Sequence, residues 1–161
     1  MQLALIIIKP DGVQRKLMGK IISRLEEKGL LIAGLKMMVI SKELANEHYA
    51  DHKGKGFYEA LIKYMTSGPV WVMALKGQNT FKVVRKLMGS TFGQEAEPGT
   101  IRGDYAISNR FNLIHCSDSL EAAEKEIGLF FKEEELLYNG TADYETADLR
   151  WIYDTSDGDY V

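Results

Sequence analysis

An α+β sandwich, with helices covering one face of a four-stranded antiparallel sheet, is the fold class this sequence predicts. Short apolar runs alternate with segments of helical period in the order strand, helix, strand, helical hairpin, strand, helix, strand. That order suits the split βαβ plan, in which antiparallel strands share one sheet. The length agrees: 161 residues, 45% of them hydrophobic, suffice for one proper core and not for two.

The first strand is the run 3–8, Leu-Ala-Leu-Ile-Ile-Ile, which ends at Lys9 and a Pro10-Asp11-Gly12 turn signature. Leu17, Ile21 and Leu25 recur every fourth residue and Gly29 follows as a stop, so residues 15–28 read as an amphipathic helix. Leu35, Met37 and Val39 share one face of a second strand, 31–40, and Ser41 then offers an N-cap to a helix carrying Leu44, His48 and Tyr49. Gly54 and Gly56 break that helix, and Phe57, Leu61, Tyr64 and Met65 mark the next, making a helical hairpin. After the Ser67-Gly68-Pro69 loop, residues 70–75 form a third strand, and Asn79 caps a helix that turns Phe81, Val84, Leu87 and Met88 inward. Periodicity vanishes over 89–103, a long loop of the kind that usually carries function. A fourth strand holds His115, and Asp118 with Glu121 forms a variant capping box for a helix carrying Leu120, Ala123, Ile127 and Phe130. Residues 1–138 thus make the domain, and 139–161 a tail lying on the body or on a neighbouring subunit, its last residues disordered.

Composition narrows the function. The net charge of −3 disfavours an obligate nucleic-acid partner, which needs a basic surface. Cys116 is the only cysteine, so no internal disulfide forms and a cytoplasmic home is expected. The apolar run at 3–8 is too short to span a bilayer and lacks the flanks of a signal peptide, so no membrane role is expected.

The chemistry concentrates at Asn112-Leu113-Ile114-His115-Cys116-Ser117-Asp118. His115 falls at a strand-to-helix junction, where a side chain is held by packed structure and the next helix start favours an anion. Glu126, two turns into that helix, can fold back to accept from one imidazole nitrogen and free the other to attack, and Ser117 can join the bridge. His115 read alone is equally an ordinary surface histidine beside a polar helix face, Arg85 a solvated helix residue and Phe57 plain core. His48 and His52, one turn apart beside Glu47 and Asp51, read as helix surface beside the site rather than a metal pair; Tyr49 stands where the zinc-protease pattern needs a glutamate.

The order of segments adds to this. Lys9-Pro10-Asp11-Gly12-Val13, Ser67-Gly68-Pro69-Val70, Pro98-Gly99-Thr100-Ile101-Arg102-Gly103-Asp104 and Asn112 through Asp118 resemble, in sequence order, the motifs of the nucleoside diphosphate kinases. The resemblance implies their ferredoxin-like α/β sandwich and a ping-pong transfer of a γ-phosphate from a nucleoside triphosphate to a diphosphate through a phosphohistidine. By the same resemblance His115 is the nucleophile, oriented by Glu126 and Ser117; Arg85, Thr91 and Arg102 hold phosphate oxygens. Lys9 and Asn112 hold the sugar hydroxyl and its neighbouring phosphate, Phe57 stacks on the base, and Tyr49 supports Lys9. Arginine is a bidentate fork for phosphate, and stacking tolerates any base because each has a π-face. Mg²⁺ is implied on the nucleotide phosphates, with no direct protein ligand, and a homo-oligomer, hexameric or tetrameric, is implied too. A rival is a catalytically silent ligand-sensing domain of the same architecture.

The chain departs from the pattern in places. Cys116 stands where the family usually has glycine, and is expected to pack inward. Phe92-Gly93 replaces a common Asn-Pro, which would loosen the phosphate loop, and Arg110-Phe111 replaces a Gly-Arg pair, so one subsidiary contact does not carry over.

Overall fold

The computed structural model describes residues 1–137; the tail expected over 139–161 lies outside the described residues. Four strands, β1 (Gln2–Ile8), β2 (Leu31–Val39), β3 (Pro69–Gly77) and β4 (Ile114–Cys116), form one antiparallel sheet in the order β2-β3-β1-β4. The α-helices are α1 (Pro10–Gln14), α2 (Met18–Glu26), α3 (Lys42–His48), α4 (Tyr58–Met65), α5 (Thr80–Met88), α6 (Ile101–Tyr105) and α7 (Leu120–Phe130). The expected sandwich is therefore present, with β1 central and β2 at an edge.

Helices lie on both faces of the sheet, not one. Leu5 and Ile7 of β1, with Val70, Val72 and Ala74 of β3, pack against Ala45 of α3, Ile62 and Met65 of α4, and Ala123, Ile127 and Phe130 of α7. Ala4, Ile6 and Ile8 face the other way, onto Ile21 and Leu25 of α2, Val84 and Met88 of α5 and Ile101 of α6. The reason is visible in β1 itself: an unbroken apolar run has no polar side to give to water, so both faces need a cover.

Several local expectations give way to others. Lys9-Pro10-Asp11-Gly12 does not make a bare turn; Pro10 starts α1, where its missing N–H costs nothing, and the chain turns only at Lys16, φ 56°. Helix α2 consequently starts at Met18 rather than at 15. Asn79 sits at the start of α5 but in the left-handed region, φ 50°, and its side chain caps nothing. Ser119, not Asp118, caps α7, accepting from Ala122 N–H at 3.1 Å. The stretch 89–103 is not all loop: Thr100 accepts from Gly103 N–H and starts α6, and Gly93–Glu95 makes a 3-10 turn. Gly93 is not a loosening residue either, because a Cβ there would meet Ala106 Cβ at 2.5 Å. Ser41 caps α3 as expected, through Leu44 N–H at 3.1 Å.

Candidate active site

Strand register decides which way the site faces. His115 stands opposite Ile7 in the β1–β4 ladder, so both side chains leave the same face, toward α3 and α7. Cys116, one residue on, points to the α2/α5 face, packs inward as expected and donates to Ser117 O at 3.1 Å. Burial drives its thiol up to about 12, which leaves it a poor nucleophile at neutral pH.

On the His115 face, Glu126 Oε2 lies 3.1 Å from His115 Nε2. The Ser117 hydroxyl donates to the same carboxylate oxygen at 2.6 Å, and its oxygen accepts from Leu5 N–H at 3.0 Å. Burial works against the Glu126 charge, but the His115 ring and then the Ser117 hydroxyl outweigh it and hold the carboxyl below its ordinary value. The carboxylate therefore keeps its charge at neutral pH and accepts a hydrogen bond from Nε2–H, which leaves the Nδ1 lone pair free.

The backbone before His115 is strained. Leu113 is fully buried at φ 70°, and Ile114 N–H bonds to Asn112 O at 2.8 Å across it, a γ-turn. Such a conformation costs on the order of 1–3 kcal/mol in a residue with a side chain and persists only when its surroundings over-determine it. Here they do. Arg102, 6% exposed, donates Nε to Asn112 O at 3.2 Å, Nη2 to Ile114 O at 2.8 Å and Nη1 to Gly89 O at 3.2 Å, while Lys9 N–H takes Leu113 O at 2.8 Å. Burial, then repulsion from Arg85, lowers Arg102 to about 10, so it stays charged at neutral pH. With part of its fork committed to carbonyls, Arg102 both fastens the turn and keeps its charge at the cleft.

Lys9 Nζ donates to Asn112 Oδ1 at 2.5 Å, and Asn112 Nδ2 donates to Thr91 O at 2.9 Å, so one asparagine ties the end of β1 to the loop after α5. Burial, then the Arg102 charge, lowers Lys9 to about 8. The support expected from Tyr49 is not made: its buried hydroxyl has no partner among the described residues, and its ring lies 6.5 Å from that of His115. Phe57 is 53% exposed, which removes the plain-core reading; its ring meets His52 edge-on at 5.5 Å.

One cleft of about 880 Å³ gathers Lys9, Tyr49, Phe57, Arg85, Thr91, Arg102, Asn112, His115 and Glu126, with Ser117 buried behind Glu126. Phe57 and Leu61 form an apolar wall, and Lys9, Arg85 and Arg102 a basic one. Ser90 and Asn109, not singled out from the sequence, line it too, as do His52, Asp118 and Arg110, which the sequence placed in other roles. His48 is the clear correction. It is not helix surface but turns into the cleft, its ring 4.9 Å from His115 and 5.2 Å from Phe130, and burial followed by repulsion from His115 lowers it to about 3. The signal was its place four residues after Leu44, which packs on the core.

The arrangement, an imidazole aimed by a carboxylate and facing three cations across a cleft with one aromatic lip, suits transfer of a phosphoryl group from a nucleotide. Comparison with known proteins agrees. Residues 2–136 match the family model described as nucleoside diphosphate kinase. A nucleoside diphosphate kinase of Archaeoglobus fulgidus is 49% identical over 154 residues, 96% of this chain and 99% of that one. One of Methanocaldococcus jannaschii is 55% identical over 131 residues, 81% of this chain and 94% of that one. A halophilic nucleoside diphosphate kinase from Halobacterium salinarum, solved in complex with CDP, superposes with a TM-score of 0.85 at 47% identity, covering 94% of this chain and 98% of that one.

Proposed function

The chain belongs to the nucleoside diphosphate kinase family, and from that premise we propose that His115 is the residue through which it passes a γ-phosphate from a nucleoside triphosphate to a diphosphate. The single observation that carries the assignment is the Ser117–Glu126–His115 chain of contacts, which occupies Nε2 and leaves Nδ1 to attack. In the first half-reaction the Nδ1 lone pair forms a bond to the γ-phosphorus as the bond to the β-γ bridging oxygen breaks, and the diphosphate leaves with those electrons. The ring gains positive charge, which Glu126 balances. The second half-reaction is the reverse, with a different diphosphate as acceptor.

Phosphoryl transfer needs mainly positioning and neutralisation of charge. Arg85, Arg102 and Thr91 take the phosphate oxygens, Lys9 and Asn112 the sugar hydroxyl and the phosphate near it, and Phe57 the face of the base. Tyr49 contributes wall rather than a bond to Lys9. Mg²⁺ fits this cleft as a passenger of the phosphates: the metal-compatible cluster found among the described residues is rich in nitrogen, whereas Mg²⁺ keeps oxygen ligands and waters. When bound with the nucleotide it would offset part of the phosphate charge.

We further place the protein in the cytoplasm, as a homo-oligomer, hexameric or tetrameric. No described helix is long and apolar enough to cross a membrane. Leu35, Met37 and Val39, 45%, 61% and 62% exposed, form an apolar stripe on edge strand β2, a surface that a second copy would cover. Incubation with γ-labelled ATP and Mg²⁺ tests the chemistry. An acid-labile, alkali-stable label on His115, lost in His115→Ala while nucleotide still binds, is the expected result. Near-parent turnover in that variant overturns the covalent route.

A further inference from the structure

The proposed mechanism gives His48 no task, yet the fold drives this imidazole into the cleft wall. Both of its ring nitrogens are sealed from solvent and neither has a hydrogen-bond partner among the described residues. A buried neutral imidazole carries one donor and one acceptor, and leaving both unpaired is unfavourable. Its edge-on neighbour is His115, and one donor atom from each of His48, His115 and Glu126 can be chosen so that all lie within 4.8 Å of one another. Two of the three are already close, at 3.1 Å.

We propose that His48, His115 and Glu126 form an inhibitory chelating site for a borderline divalent cation of the Zn²⁺ class. Two imidazoles and a carboxylate, with a fourth position left to water, are a donor set that Zn²⁺ accepts and Mg²⁺ does not. Zn–N and Zn–O bonds of about 2.0–2.2 Å put tetrahedral donors roughly 3.3–3.6 Å apart, so the His115–Glu126 pair is nearly in place. A swing of the His48 ring by on the order of 1 Å at the last residue of α3 completes the set. Lys9, Arg85 and Arg102 line the same cleft and oppose a further cation, which weakens the affinity. Bound there, the metal takes up electron density from the His115 ring and engages the carboxylate that balances its charge. The site would then compete with phosphohistidine formation however much Mg²⁺ is present. This inhibitory half rests on His115 being the nucleophile; the chelation itself does not.

Co²⁺ titration of the full-length protein, without nucleotide, reads the site through the visible absorption of four-coordinate Co²⁺. One Co²⁺ per chain is expected, displaced by Zn²⁺ and not by Mg²⁺, with affinity at least tenfold weaker in His48→Gln and in Glu126→Gln, each checked for folding by circular dichroism. No saturable binding up to about 1 mM, or equal binding in parent and both variants, overturns the site. With Zn²⁺ saturating, γ-labelled ATP and Mg²⁺ should leave His115 unlabelled; labelling at the Zn²⁺-free rate overturns the inhibitory role. If Co²⁺ binds as expected but His115 is never labelled even without Zn²⁺, the chelating site stands and the nucleophile assignment falls.

Discussion

Replacing Arg102 with lysine separates its two jobs. The guanidinium holds three carbonyls, those of Gly89, Asn112 and Ile114, and an ammonium in its place can keep one of them. Two hydrogen bonds from a charged donor are lost, at about 1.5–3 kcal/mol each, with part of the loss recovered because Asn112 O retains Ile114 N–H. The expected cost is about 3 kcal/mol, drawn from the γ-turn at Leu113 that these bonds fasten. At about 2–4 °C per kcal/mol for a chain of this size, Arg102→Lys should melt roughly 6–12 °C below the parent by circular dichroism. Arg85→Lys is the control. Its side chain is exposed and has no hydrogen bond or ion pair among the described residues, so its Tm should stay within about 2 °C while kcat/KM falls roughly tenfold for want of a bidentate phosphate contact. If Arg102→Lys melts with the parent, the carbonyl clamp is not what maintains the turn, and Arg102 is a phosphate ligand alone.

Three other outcomes are expected. Ser117→Ala should lower kcat by roughly tenfold or more, with KM little changed, because Glu126 loses the hydroxyl that seats it; freeing the buried Leu5 N–H should also cost about 1–3 kcal/mol in a denaturant melt. Lys9 is lowered to about 8 from an ordinary value of 10.5, so between those values the unfolded chain holds a proton that the folded chain has shed. Folding stability therefore rises with pH through that window while phosphate affinity falls, and kcat/KM should show an alkaline limb near pH 8 that is absent in Lys9→Arg. Met37→Lys, at the middle of the exposed β2 stripe, should reduce the particle mass seen by light scattering without altering the circular dichroism spectrum.

How much of this could be read in the sequence depended on what held each residue. Lys9 follows the end of β1, His115 lies in the short strand β4 and Glu126 on a helix of clear period, so local pattern placed them. Phe57 could not be assigned from spacing, since helical period is the same for a core residue and for one at a helix start lining a cleft; its exposure decides it. Helix α6 is five residues long, below the span over which a 3.6-residue period declares itself. His48 was expected on the helix surface beside the site, although Leu44 four residues earlier, packed on the core, places it on the inner side. The bend at Leu113 has no local signal at all: a buried leucine is an unlikely host for positive φ, and it is imposed by Arg102 and by the end of β1.

Strand β1 also sets a schedule. Leu5 takes its partner from Ser117, 112 positions further along, and Lys9 N–H takes Leu113 O, so β1, synthesised ahead of β4, is among the last strands of the sheet to be completed. Until β4 arrives, a run of isoleucines in the middle of the future sheet has one margin open to any stray strand. A chain cut short before Ile114 keeps that open margin and lacks His115 altogether. Turnover in a cell extract is therefore a gauge of finished chains, and premature stop codons upstream should yield inclusion bodies rather than sluggish enzyme.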